Sequence, residues 1–475
     1  MDIGKTTMMT TGALPVSTAA RAPEAAAFNT KEAVSITGAQ GDTLTQKMDQ
    51  LKQMSQTSKV SAAPALGSKE FWVNQATHMT DFFAKVSKDD VNGGFFTHID
   101  AQGNVSNKDE KFLMPTSRQV WAYAATYEMT GDKTYLDLAK HGVDFELAHH
   151  MKTNASGETF WMQRVNGDGS LGEGETAKPI VINEQTYGLT GLIGYYKATK
   201  DPKILEVIKS GHQFLTNHMW DKKDGAFFDS VDPKTLEPSS TKSYNSVVYP
   251  ATSALLEMAD IADGPWKKEV CGQLKTMADI FVKNFPDPKT GFIKENFTTD
   301  WKEDWRNWQK QPEGSIGVSG HNTQGALFLL RTERLLSAEG MLKPEEAQAY
   351  RNTAQTIVDS MLEKTYDKEN GGFFDVFVRE TGQNMWHTNK AFWQQEEGYL
   401  ATLAMSKLTG DSKYTEAANK TLQFWDKNFM DREIGGDRQT VAKDGAPLTD
   451  PKGGPGKSSY HSTEMAKLAM EINNW

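Results

Sequence analysis

His321 and His461 each stand at the start of a segment with helical periodicity, and histidine is the side chain that changes charge near neutral pH. One segment opens Gly320-His321-Asn322-Thr323-Gln324 and the other Lys457-Ser458-Ser459-Tyr460-His461. Four further helical starts are equally rich in polar and aromatic groups: Ser117-Arg118 with Trp121, Asn183 with Tyr187, Asn245 with Tyr249, and Trp393-Gln394-Gln395-Glu396-Glu397. Aromatic faces surrounded by amides and charges match a pyranose, whose C–H faces lie on flat rings and whose hydroxyls need donors and acceptors. His321 and Gln324 are three apart and Trp393 and Glu397 four apart, so each pair shares one helix face and can address one ligand. The expected binding set is therefore Arg118, Trp121, Tyr187, Asn245, Tyr249, Gln324, Trp393, Gln395 and Glu397, around His321 and His461.

The elements that must bring these residues together follow from an internal repeat. Glycine and aromatic clusters recur at Gly93-Gly94-Phe95-Phe96, Gly225-Ala226-Phe227-Phe228, Gly291-Phe292-Ile293 and Gly371-Gly372-Phe373-Phe374, with weaker copies at Gly157 and Gly435-Gly436. Starting positions 93, 157, 225, 291, 371 and 435 differ by 64, 68, 66, 80 and 64, so one unit of about 65 residues occurs six times with one insertion. Apolar residues at i, i+3, i+4 and i+7 predict helices near 68–87, 112–130, 133–151, 184–200, 202–219 and 243–262. The same pattern predicts six more near 265–285, 320–340, 344–366, 387–410, 413–430 and 457–475. Their connections alternate short and long. The short ones carry stop-and-start chemistry, as in Gly131-Asp132 and Gly410-Asp411, and the long ones hold the glycine clusters and suit small hairpins. All the long loops then lie on one face.

The expected architecture is all-α, an (α/α)6 barrel with short β-hairpins in the long loops. The first and last helices are rich in Phe, Trp, Met and Leu rather than polar as the caps of an open solenoid would be, so the ring should close. Its inner helices follow the long loops, and their N-termini converge on one mouth. His141, His149, His150, His212 and His218 fall on outer helices, where structural or surface roles are expected.

Composition limits the alternatives. The 475 residues are 38% hydrophobic and 24% charged, with no apolar run long enough for a membrane span. A net charge of -10 without a basic stripe argues against nucleic acid or an anionic membrane as a partner. Cys271 is the one cysteine, so neither an intramolecular disulfide nor a thiolate metal cluster can form. No metal and no cofactor are expected, since no phosphate-cradling glycine loop is present either. Residues 1–66 are rich in Ala, Ser, Thr and Gln and read as an extension, flexible or partly ordered, with Leu44, Met48, Leu51 and Met54 at helical spacing; residues 67–475 are expected to form the barrel domain that carries the site. The start lacks the pattern of a secretory signal, which makes a cytoplasmic location the expectation, and a homodimer is among the assemblies open to it.

The Arg118 helix start, Asn245, Gly320-His321, the Trp393–Glu397 helix and the Lys457–His461 start, one per repeat and in this order, resemble the N-acylglucosamine 2-epimerase superfamily. That superfamily includes cellobiose 2-epimerases and aldose-ketose isomerases of mannose-type sugars. The resemblance implies an (α/α)6 barrel, acid-base work by His321 and His461, and Arg118 near the reacting oxygens. Removing the proton beside a sugar carbonyl gives an enediolate, which requires a base of near-neutral pKa and a donor for the developing oxyanion. Bases on opposite faces of C2 would give an epimer, and one base shuttling between C2 and C1 a ketose.

Two positions depart from the pattern. Gln324 stands where relatives commonly have a glutamate that holds the first histidine, and Tyr249 where they commonly have a histidine. Ser462-Thr463-Glu464 after His461 is also unusual. Other readings thus stay open: a glycoside hydrolase or lyase on the same fold using Asp304, Glu397 or Asp437, or a sugar-binding protein without catalysis. Trp301, Trp305 and Trp308 in the longest loop could form a lid or a stacking platform.

Overall fold

Helix boundaries follow the capping chemistry closely. The computed structural model describes residues 64–304, 310–311, 314–384 and 388–475; the stripe at Leu44–Met54, Trp305 and Trp308 lie outside the described residues. Within them are twelve α-helices: α1 (Lys69–Ser87), α2 (Leu113–Thr130), α3 (Lys133–Phe145), α4 (Ile182–Thr199), α5 (Pro202–Phe214), α6 (Leu256–Ile261), α7 (Gly264–Asn284), α8 (Ser319–Ala338), α9 (Pro344–Lys364), α10 (Phe392–Thr409), α11 (Ser412–Asn428) and α12 (Tyr460–Ile472). Gly131 and Gly410 end α2 and α10 in the left-handed region, at φ 74° and 69°. Asp132 and Asp411 then cap α3 and α11 by accepting from the backbone N–H two positions on, each at 2.9 Å. The tyrosines three positions later tie outer helices together: Tyr135 donates to Asp81 and Tyr414 to Asp359, both at 2.7 Å.

Even-numbered helices are buried on nearly every side and form the inner ring, and the odd-numbered ones bury a single face against them. In the inner ring α2 packs on α4, α4 on the turn before α6, α8 on α10, α10 on α12 and α12 on α2. The last helix also packs on α1, so the barrel closes as the apolar first and last helices predicted. Close approach of α4 to α2 depends on Gly191, where a Cβ would sit 2.5 Å from the Ser117 carbonyl oxygen. Predicted hairpins appear as short antiparallel pairs, such as Met151–Thr153 with Thr159–Trp161; other pairs join neighbouring loops, as Glu110–Phe112 does with Arg164–Asn166.

Two helical expectations needed correction. The segment 243–262 is not one helix but a 3-10 turn (Tyr244–Ser246), a π-turn (Pro250–Leu255) and the short α6. Pro250 has no N–H to give to the preceding turn, which interrupts regular α-helix there. The helix expected from 387 begins at Phe392, because Lys390–Ala391 is a strand paired with Thr440–Val441.

A buried clamp repeats around the mouth. In four loops an aspartate just ahead of the glycine cluster accepts from its own loop backbone and pairs with a lysine further along the chain. The pairs are Lys111–Asp89, Lys242–Asp221, Lys390–Asp367 and Lys452–Asp431, at 2.7, 2.6, 2.8 and 2.6 Å, and none of the lysines is more than 3% exposed. Lys390 Nζ also donates to the Gly371 carbonyl at 2.7 Å. Lys390→Met leaves Asp367 charged, buried and unpaired, and should cost about 3–5 kcal/mol; a shift of the urea midpoint with unchanged slope measures it.

Candidate functional site

The first turns of the inner helices bring most of the expected residues to one mouth. From α2, Arg118 donates to the Tyr187 hydroxyl of α4 at 2.5 Å and to the Gly456 carbonyl at 2.9 Å. Its guanidinium lies 4.1 Å over the Tyr187 ring and 5.2 Å over that of Tyr460, while its Nε has no partner. The fork is thereby fixed in direction, with two of its five N–H donors engaged.

His321, on the first turn of α8, is held on three sides. Its Nδ1 lies 3.0 Å from Glu295 Oε2, its ring stacks on Tyr244 at 4.3 Å, and the Tyr249 hydroxyl is 3.3 Å from Nε2. A carboxylate can only accept, so Glu295 assigns the proton to Nδ1 and leaves the Nε2 lone pair toward Tyr249 and the mouth. The carboxylate expected to be missing at Gln324 is thus supplied by the loop that precedes α8. Gln324 does not orient His321. It accepts from Tyr244 at 2.7 Å and donates to Glu397 Oε1 at 2.7 Å, linking two other site residues.

On the far side stands His461, from α12. Trp393 lies between the histidines, 5.6 Å from the His321 ring and 6.0 Å from that of His461. His461 Nδ1 is 3.9 Å from Glu397 Oε1 and 3.7 Å from Glu464 Oε2, and Tyr460 donates to the other Glu464 oxygen at 2.8 Å. Burial and, behind it, the positive charge of Arg118 push the His461 pKa well below the usual 6.5, so this imidazole is neutral at neutral pH. Burial raises Glu397 well above the carboxylate range, with the charge of Glu464 second, and burial lifts Glu464 to about 7.

That elevation has a testable sign. A carboxyl whose folded pKa exceeds its unfolded one contributes stability that is present at low pH and lost as pH rises from about 4.5 to about 7. Glu464→Gln, which never ionises, should remove that fall, so the gain in Tm over wild type should be larger at pH 8 than at pH 4; thermal melts at both values check it.

Three expected residues sit differently from the rest. Gln395 faces away from the mouth: its amide accepts from Phe373 N at 2.7 Å and donates to Phe373 O at 2.8 Å, and it is fully buried. A separation of two positions is about 200° around a helix, so a side chain two after Trp393 lies on the opposite face. Trp121 is one turn deeper than Arg118, 2% exposed, and packs on Tyr460 at 5.0 Å, so it forms the floor beneath the site. Asn245 is half-buried beside Tyr244 on the 3-10 turn.

Glu295 and Tyr244 were not expected. The signal for Glu295 was position: at the same offset from the loop glycine, Asp229 and Asp375 likewise reach the next inner helix start, accepting from Ser246 and from Gln394. Asp437 is 1% exposed and bound to Lys457 and Ser462 at 2.9 and 2.7 Å, so it does not face the mouth as one of a hydrolase pair would. The outer-helix histidines are tied to structure: His141 to the Gly94 carbonyl, His150 to that of Met162, His212 to Gln273 and His218 to Glu158.

A closed six-hairpin helical ring with two histidines, an arginine and stacked aromatics at one mouth is an (α/α)6 barrel. The N-acylglucosamine 2-epimerase family pattern matches residues 93–465, and the chain belongs to that family. It is similar to the D-mannose isomerase of Marinomonas mediterranea, 24% identical with 84% of this chain and 96% of the relative covered. A cellobiose 2-epimerase of Eubacterium cellulosolvens is 25% identical over 82% of this chain and 96% of its own. The crystal structure of a D-mannose isomerase superposes with a TM-score of 0.73 at 20% identity, covering 86% of this chain and all of that one.

Proposed function

We propose that the protein is a carbohydrate 2-epimerase or aldose-ketose isomerase that moves a proton through an enediolate. The observation that carries this is the placement of His321 and His461 on either side of Trp393, with Arg118 in the same mouth. An open-chain sugar laid on Trp393 presents C2 between the two imidazoles. His321 Nε2 takes the C2 proton, the C–H pair forms the C1–C2 double bond, and the carbonyl oxygen becomes an anion that Arg118 stabilises. Glu295 holds the resulting imidazolium. Inversion follows when a solvent proton, relayed through the His461 ring, reaches the opposite face of C2 and His321 releases its own to water; the ketose follows when the His321 imidazolium returns its proton to C1 and the C2 hydroxyl proton passes to the C1 oxygen.

Family membership supports this reading, as do the two similar enzymes, named for a mannose isomerisation and a cellobiose epimerisation. The test is product analysis by NMR after incubation with mannose, glucose, N-acetylglucosamine and cellobiose. A C2 epimer or a ketose from at least one sugar is expected. Glycosidic cleavage, or saturable binding with no turnover of any of them, would contradict it.

A further inference from the structure

Outside the mouth between the histidines, the long loop of the second repeat encloses a cavity of about 330 Å³ against the first turn of α4. Its walls are largely apolar, with Phe160, Met162, Ile180 and Val181 below and Leu171 and Pro179 at the open rim. That volume is at the lower end for small-molecule sites and suits one ring of sugar size.

The charged groups along the cavity are settled among themselves with one exception. Glu175 is held by Arg164 at 2.9 Å and by Lys178 at 2.7 Å, and Lys152 donates to the His149 carbonyl at 3.1 Å. Glu184 is the exception. It is 5% exposed, one oxygen accepts from Gln163 Nε2 at 3.2 Å, and the other has no partner. An unpaired buried carboxyl oxygen costs free energy that a ligand donor would recover. Burial raises the Glu184 pKa to about 7 despite the opposing pull of Arg118, so a neutral hydroxyl is as good a partner as a cation.

Position adds a second argument. Glu184 and Tyr187 lie on one face of α4 a turn apart, and Tyr187 is the residue whose hydroxyl Arg118 holds. The cavity therefore flanks the mouth on its α4 side, about one helical turn outward of Arg118's partner. The combination of an apolar wall with a half-buried phenyl ring, one unfilled acceptor and an amide is the chemistry of a pyranose contact.

We propose that this cavity is a second pyranose subsite, in which Glu184 and Gln163 take ring hydroxyls and Phe160 faces the ring. The identity of the ligand as a sugar rests on the function proposed above; the cavity and its open carboxyl do not. Its occupant is either the outer ring of a disaccharide substrate or a free monosaccharide.

Crystals of the full chain soaked in saturating glucose and in cellobiose distinguish these cases and separate the two proposals. A sugar ring with a hydroxyl within hydrogen-bond distance of the free Glu184 oxygen is the expected result. A cavity empty in both soaks while sugar fills the histidine mouth overturns the subsite and leaves the function standing. Sugar in the cavity with none at the mouth leaves the subsite standing and removes the function. Steady-state kinetics of two variants then assign the occupant. Leu171→Trp closes the exposed rim, and Glu184→Gln removes the carboxylate while keeping the shape. If the cavity holds the outer ring, both raise KM for cellobiose about tenfold with kcat unchanged and leave glucose and mannose kinetics as they were. If it holds a free monosaccharide, cellobiose kinetics stay at the wild-type values and the glucose ring in the cavity disappears from soaks of both variants. Equal sugar density and equal KM in wild type and both variants would refute the subsite.

Discussion

Replacing His461 with alanine should lower kcat by a factor of order 10²–10⁴ while leaving the melting temperature close to that of wild type, and His321→Ala should do the same. Each imidazole reaches the mouth from an inner helix whose packing lies deeper than its first turn, which is why the fold should survive. The two losses should not be identical in character. His321 is tied through Nδ1 to Glu295, and its ring is stacked on Tyr244, so its lone pair points in one direction. Glu295→Gln should therefore give an intermediate loss in kcat with a displaced pH profile, because an amide can neither fix that tautomer nor stabilise the imidazolium. His461 has no such partner at hydrogen-bond distance; its nearest carboxylate oxygens are 3.7 and 3.9 Å away. Its neutrality comes from burial and from Arg118. Full activity in either alanine variant would remove that histidine from the mechanism.

The second large effect should come from Arg118→Met, with kcat reduced by a factor of order 10²–10³. Here the charge that stabilises the developing oxyanion disappears, and so does a cation that, after Arg331, helps to lower Glu397 and Glu464. Arg118→Lys should recover little. The guanidinium divides its donors between Tyr187, Gly456 and the mouth, and an ammonium cannot reproduce that fork. Kinetics of both variants, beside thermal melts, separate a catalytic loss from a packing loss.

Much of this arrangement could be read from residue order. Regularly recurring glycine marks delimit six units, and alternating short and long loops put the polar helix starts on one face. What could not be read was the partnership between loops and helix starts. Nothing in the sequence singles out Lys111, Lys242, Lys390 and Lys452, and only the fold reveals that each neutralises a buried aspartate from the start of its own loop. Glu295 was obscure for the same reason: nothing local to a Gly-Phe-Ile-Lys-Glu stretch says that its carboxylate meets a histidine on the next helix. Gln395 shows the opposite case. Its separation of two from Trp393 already placed it on the far face, and its polarity, which suggested a sugar contact, instead serves the backbone of Phe373.

The proton transfer itself is open to direct observation. In deuterated water, with the sugar that the enzyme turns over, wild-type protein should place deuterium at C2 of the recovered substrate or at C1 or C2 of the product, while His321→Ala and His461→Ala should place none. Turnover by the wild type without any deuterium at those carbons would contradict an enediolate intermediate formed at this pair of histidines.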